Sequence, residues 1–208
     1  SGQVGGFRAA EFIARRYGER TLDRTRVARA AKAAARDAMG WSAKCRAGRS
    51  WRKEREELQA RMTRAGAHIR SLRALDTAVV EARAQWQRLE SQGCRATGPE
   101  LREAWNTRQL CFAHLVYLEA IRFAVQSGAG SRGSSVVLDP GGTRAHDRLG
   151  PEWTFAPPDR DFQEKVLETT AAHDGTVESV WVPRRPLPKT DAWFETAWAA
   201  YRDGAIYR

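Results

Sequence analysis

Four pairs of side chains in this sequence are of types that could do chemistry. Cys111 and His114 lie three residues apart, so on a helix they share a face and form a Cys/His dyad or half of a metal site. Against that stands their setting in the most apolar stretch of the chain, where a cysteine behaves as a small hydrophobe. No second ligand pair has metal spacing, so the core reading is favoured and no metal is expected. His146-Asp147 and His173-Asp174 fall in turn-like segments and read as solvent-facing, while His68 sits among basic residues with no evident partner. Arg184-Arg185 between prolines could clamp an anion, but a strap tying the last helix to the body is the commoner use of such a segment.

Gly2, Gly5 and Gly6 lack the spacing of a dinucleotide-binding or phosphate-binding loop. A glycine-rich helix start exposes backbone N–H groups and a positive dipole end, which suits an anionic ligand atom. Equally, Gly5 and Gly6 would let the helix pack closely on a neighbouring backbone. Both readings stay open.

These residues must be positioned by helices. Val4, Phe7, Ala10, Ile13, Ala14 and Tyr17 recur at helical spacing from the first residues, so a helix over 1–22 is expected, continuing from something upstream. A second helix should run from about Asp23 to Met39, with Asp23 or Thr25 as its cap. From Trp51 to Leu89 the stripe Leu58, Met62, Ala65, Ile69, Leu72, Leu75, Val79, Ala82, Trp86, Leu89 suits an antiparallel bundle, with a break expected near Leu75-Asp76-Thr77. Leu101 to Ser127 should be the central and most buried helix. After Ser127 the chain turns glycine- and proline-rich. Val136–Leu138 and Val177–Val182 read as short strands, and Thr190-Asp191 would cap a final helix carrying Trp193, Phe194 and Trp198. The expected fold is therefore mainly α: an antiparallel helical bundle of three to four long helices over 23–128. It is followed by a loop-rich Trp/Pro arm over 129–208 with one or two short strands and a terminal helix.

The 208 residues carry 35 Lys+Arg against 25 Asp+Glu and three cysteines without a CxxC pair. Neither a disulfide framework nor a zinc finger is expected, and reduced thiols in a cytoplasmic setting are the default. The longest uncharged apolar run is too short to span a bilayer. Residues 15–74 hold 18 Lys/Arg against 6 Asp/Glu, which contains the whole excess of positive charge. That basic stretch allows a helical module for nucleic acid or an acidic protein partner. No helix-turn-helix, zinc finger, aromatic RNA platform or basic zipper accompanies it, which weighs against nucleic acid.

Several segments taken in order resemble a family. Ser1-Gly2-Gln3-Val4-Gly5-Gly6-Phe7-Arg8-Ala9-Ala10-Glu11-Phe12-Ile13-Ala14 looks like the helix after the flavin-contacting loop of the fumarate reductase/succinate dehydrogenase flavoproteins. Leu58-Gln59-Ala60-Arg61-Met62 with Arg70 resembles their C-terminal helical domain. Leu101-Arg102-Glu103-Ala104-Trp105-Asn106-Thr107-Arg108 and Ser131-Arg132-Gly133 resemble the last long helix and the turn ending it. The likeness covers about residues 1–138. It implies the C-terminal helical domain of an FAD-dependent oxidoreductase, with the nucleotide-binding fold and catalytic arginine upstream. Ser1, Gly2, Gln3 and Val4 would then lie nearest the FAD. It further implies an upstream FAD-binding domain as partner, room for an electron-transfer subunit, and no catalysis or FAD retention by this chain alone. Ser134, Ser135 and Val136 stand where the standard enzymes carry a histidine and acidic residues, which sets the chain apart from members acting on dicarboxylates with an iron–sulfur partner.

Overall fold

Asp23 starts the best-formed lone element of the chain: its Oδ1 accepts from the Arg26 N–H at 2.9 Å and opens a helix that runs unbroken through Gly40 to Lys44. The computed structural model describes residues 2–17, 21–133, 135–184, 193–203 and 205. Among these are six α-helices: α1 (Gly2–Tyr17), α2 (Arg24–Lys44), α3 (Trp51–Arg61), α4 (Leu72–Gln92), α5 (Leu101–Gln126) and α6 (Trp193–Arg202). Strands β1 (Ile69–Arg70), β2 (Val136–Arg144) and β3 (Thr154–Phe155) form one sheet, and β4 (Lys165–Ala171) and β5 (Val177–Pro183) a second. The protein is mainly α. No helix among the described residues is long and apolar enough to cross a membrane.

The core forms where the apolar stripes of α4 and α5 meet. Leu75, Val79, Ala82, Trp86 and Leu89 recur at fours and threes on α4 and are all buried, facing Cys111, Leu115 and Leu118 of α5. Full burial of side chains the size of Leu75, Leu89, Leu115 and Leu118 contributes about 1.5–3 kcal/mol each. Leu58 of α3 and Trp41 at the inner end of α2 join the same cluster. On its outer side α5 still exposes Leu110 and Tyr117, so it is central without being covered all round.

The break expected near Leu75-Asp76-Thr77 occurs earlier. After Arg61 the helix widens into a π-helical turn over Met62–Gly66, and β1 follows. Ser71, not Asp76 or Thr77, is the cap, its hydroxyl accepting from the Ala74 N–H. Asp76 instead pairs with Arg122 at 2.6 Å, and the Thr77 hydroxyl donates back to the Arg73 carbonyl, as helix-interior threonines do.

The region after Ser127 is more ordered than its glycines and prolines suggest. β2 passes through Asp139-Pro140-Gly141-Gly142 with a shift of register opposite Phe155, and pairs parallel with β1 through Ile69↔Val136 and Arg70↔Val137. Four strands among the described residues of this arm stand where one or two were expected. The β4–β5 hairpin lies on the helices: Gly175 at its turn, with φ +90°, seats its Cα against Trp86, and its carbonyl accepts from Arg83. The cap expected at Thr190-Asp191 lies outside the described residues, and α6 begins at Trp193.

Candidate functional site

Of the four residues expected nearest a flavin, Ser1 lies outside the described residues, and Gly2, Gln3 and Val4 enter as the first backbone turn of α1. α1 is held by α6: the Tyr201 hydroxyl donates to the Arg8 carbonyl at 2.8 Å, and the Arg8 guanidinium lies over the Trp198 and Tyr201 rings at 5.2 and 5.8 Å. Most of the rest of α1 faces outward, with Phe7 64% and Ile13 57% exposed. A Cβ added at Gly5 or Gly6 would meet nothing, so among the described residues no backbone approaches them closely.

α2 leaves the body in the same way. Every residue from Arg24 to Asp37 is exposed, and only Ala38, Trp41 and Ser42 turn inward. Where it departs, the angle between α2 and the body encloses a cleft of about 600 Å³. Its floor is Arg108, a buried cation on the inward stripe of α5. The Trp41, Trp86 and Trp105 rings surround its guanidinium at 5.3, 5.5 and 5.0 Å. Glu90 of α4 accepts from Nε at 2.6 Å and from Nη2 at 3.0 Å, a bidentate pair that fixes the fork. His173, from the β4–β5 turn, brings Nε2 to 3.3 Å from Nη2 and its ring edge to Trp86. Trp41 donates to the Leu89 carbonyl and Trp105 to the Ser42 hydroxyl, so both walls are pinned. Lys44 and Arg36 of α2 stand at the rim with Asp37.

The sequence signal for this cluster was a cation within a buried stripe. Ala104, Arg108, Cys111, Leu115 and Leu118 share one helical face, and a charge there must find a partner. His173, expected to face only solvent, is exposed but reaches Arg108. Its neighbour Asp174 accepts from the Thr176 N–H and closes the turn. His146 accepts from the Arg148 N–H in an exposed turn, as expected.

Cys111 and His114 are both buried in the core. Burial pushes the Cys111 thiol up to about 12, and burial with the nearby Arg61 charge brings His114 down to about 4. Neither value suits a thiolate–imidazolium pair at neutral pH. Cys45 and Cys94 are free, buried, and in thiol–thiol contact. No group of three or more metal-ligating side chains occurs among the described residues.

The basic stretch divides in two. On and beside α3 the arginines are consumed. Glu54, 1% exposed, accepts from Arg88 at 2.8 Å and from Gln85 at 2.8 Å, and Gln85 in turn accepts from Arg61. Burial works against ionisation of Glu57, but Arg88 and Arg49 outweigh it and hold the carboxyl below its ordinary range. Arg52 pairs with Glu100 and Arg55 with Glu103. On α2, by contrast, Arg29, Lys32 and Arg36 have no ion pair among the described residues.

Two segments that carried the family resemblance meet on β2. Arg70 stands opposite Val137, and the Ser131 hydroxyl accepts from the Val137 N–H at 2.9 Å. Arg70 is half-buried and donates to the carbonyls of Ala67 and Gly66. Arg184 pairs with Glu164 and extends the β4–β5 ladder; Arg185 and the segment expected to strap the last helix to the body lie outside the described residues. Comparison with protein-family models, with curated proteins and with solved structures gives no match.

Proposed function

We propose that this chain is the helical domain of an FAD-dependent oxidoreductase resembling the fumarate reductase/succinate dehydrogenase flavoproteins. In this reading α3, α4 and α5 form an antiparallel bundle that braces a flavin-binding domain of the same protein. α1 is the element laid against that domain, with Ser1 to Val4 nearest the flavin. The positive end of its dipole would favour negative charge on the reduced ring. The chain supplies position and exclusion of water, and the hydride chemistry belongs to the flavin.

One observation carries this reading. Two consecutive helices (Phe7 and Ile13 on α1, Val27 and Met39 on α2) leave those apolar residues uncovered, while α3 to α5 pack a shared apolar stripe into the core and expose only scattered residues such as Val80 and Tyr117. Helices of that length gain most of their stability from packing an apolar face, so a second body is expected against them. The meeting of Arg70 and Ser131 on β2 gives the resemblance a spatial basis that their separation in sequence does not.

The test is to isolate, from its natural source, the polypeptide that carries this sequence, using antibodies to residues 51–126. Flavin absorbance is then measured, and amide exchange over α1 is compared with that in the isolated chain. Bound flavin, with α1 protected only in the native species, supports the proposal. A native polypeptide without flavin, whose α1 exchanges as fast as in the isolated chain, overturns it.

The second reading, docking of an acidic protein partner, is favoured by the unpaired Arg29, Lys32 and Arg36 on α2. Duplex DNA binding with a steep salt dependence would instead turn it toward nucleic acid.

A further inference from the structure

The geometry points to the cleft beneath α2 as a binding site for a small planar carboxylate on an aromatic body. This does not depend on the flavoprotein reading. Arg108 is already paired, and a purely structural arginine would need nothing more. Its Nη1, however, donates to no group among the described residues and is not among the sealed, unpartnered polar atoms, and Arg108 lines the open cleft. Stacking between tryptophans and the bidentate Glu90 pair hold the guanidinium in one orientation, so a ligand meets a donor that loses little freedom on binding.

The lining selects the ligand. Arg36, Lys44 and Arg108 line the cleft with Asp37 and Glu90, three cations against two carboxylates, so these five side chains leave an excess of one positive charge. A single negative charge matches it. A phosphate dianion would meet Glu90 and Asp37 at close range and would find only one free guanidinium nitrogen instead of a fork. Trp41, Trp105 and the small Ala34, Ala38 and Gly40 make flat apolar walls, which suit a ring better than a sugar or a flexible chain. The volume, about 600 Å³, is that of a small-molecule pocket.

The experiment titrates the whole chain with benzoate, benzamide and inorganic phosphate while following the indole N–H resonances of its tryptophans by NMR. Trp105→Phe and Trp41→Phe assign the two relevant signals. Benzoate is expected to shift both saturably, benzamide at least tenfold more weakly, and phosphate not at all. Arg36→Ala removes an exposed rim cation, leaves the Lys44 bond to the Glu90 carbonyl in place, and should weaken benzoate several-fold, while Arg108→Lys should abolish the response. If Arg108→Lys fails to fold, the rim variant and benzamide still decide the matter. No saturable shift with benzoate, an equal response to benzamide or phosphate, or an undiminished response in the rim variant would each overturn the proposal.

Discussion

Acid should weaken this fold through His114 before it reaches the carboxylates. The imidazole is 5% exposed on the inner face of α5, and its Nε2 has no hydrogen-bond partner. Burial first, and the Arg61 charge second, lower its pKa from 6.5 to about 4. The folded-state value is thus depressed, so between those limits the unfolded chain binds the proton and the folded chain does not. Stability is complete above pH 6.5 and declines as pH falls toward 4. A displacement of that size corresponds to about 3 kcal/mol in full, and about 2 kcal/mol of it is lost by about pH 5.

His114→Leu isolates that contribution. It removes the titrating group and the orphaned nitrogen while keeping an apolar side chain of similar bulk. At neutral pH the variant should gain about 1 kcal/mol, from the desolvation cost no longer borne. Between about pH 7.5 and about pH 5 it should lose about 2 kcal/mol less than the parent. Urea unfolding at the two pH values, read as midpoint and slope, measures both. Glu57 and Glu81 have carboxyls held below their ordinary range by arginines, so they protonate below this window and do not mimic the effect. If parent and variant lose equal stability over the interval, His114 is not titrating as a buried neutral group and the reasoning fails.

Three further outcomes are expected. Gly130, at φ +68°, has no room for a Cβ beside the Pro157 carbonyl, so Gly130→Ala should cost about 2–3 kcal/mol by thermal melting; a cost under about 0.5 kcal/mol would mean that the turn relaxes freely. Glu54→Ala removes the buried carboxylate that Arg88 and Gln85 share, leaves Arg88 with Glu57 alone, and should cost about 2–3 kcal/mol in chemical denaturation. Burial pushes the Cys94 and Cys111 thiols up to about 12, so neither should react with iodoacetamide at neutral pH until urea unfolds the chain. The same thiols ionise far earlier in the unfolded chain, from about 9, so stability should fall as pH rises past that point, visible as a drop in Tm.

The parts of this molecule legible in its sequence are those governed by local periodicity. Asp23 marked its helix because a carboxylate can accept from an N–H three residues on, and the α4 stripe showed its buried side by spacing alone. The break at Met62–Ser71 was misplaced because the apolar period runs on through it. What ends α3 is a π-turn followed by a pairing with Val136 and Val137, more than sixty residues distant. The β4 strand went unnoticed because Lys165–Ala171 is half exposed and takes its order from β5. The cleft was hidden for the same reason. Trp41, Glu90, Arg108 and His173 come from four separate elements, and only the stray charge on α5 hinted at them.

The positive charge shows how far such a reading can carry. Over residues 15–74 the sequence presents one basic stretch, but the fold cuts it near Cys45. Beyond that point, arginines and glutamates three, four or more residues apart lock α3 to α4 through Glu54, Gln85 and Arg61, at positions mostly withdrawn from water. Those pairs are screened weakly by salt and belong to stability. Before it, Arg29, Lys32 and Arg36 project from a helix that touches the body only at its inner end. Exposed like-charged residues at such spacing repel one another slightly, so they contribute nothing favourable to the isolated fold. Added salt should therefore leave the melting of the body almost unchanged and, if an acidic partner docks on α2 as proposed, weaken that binding. The two halves of one charge run thus sit in different electrostatic settings, and an ionic-strength series tests whether the exposed half serves the proposed docking.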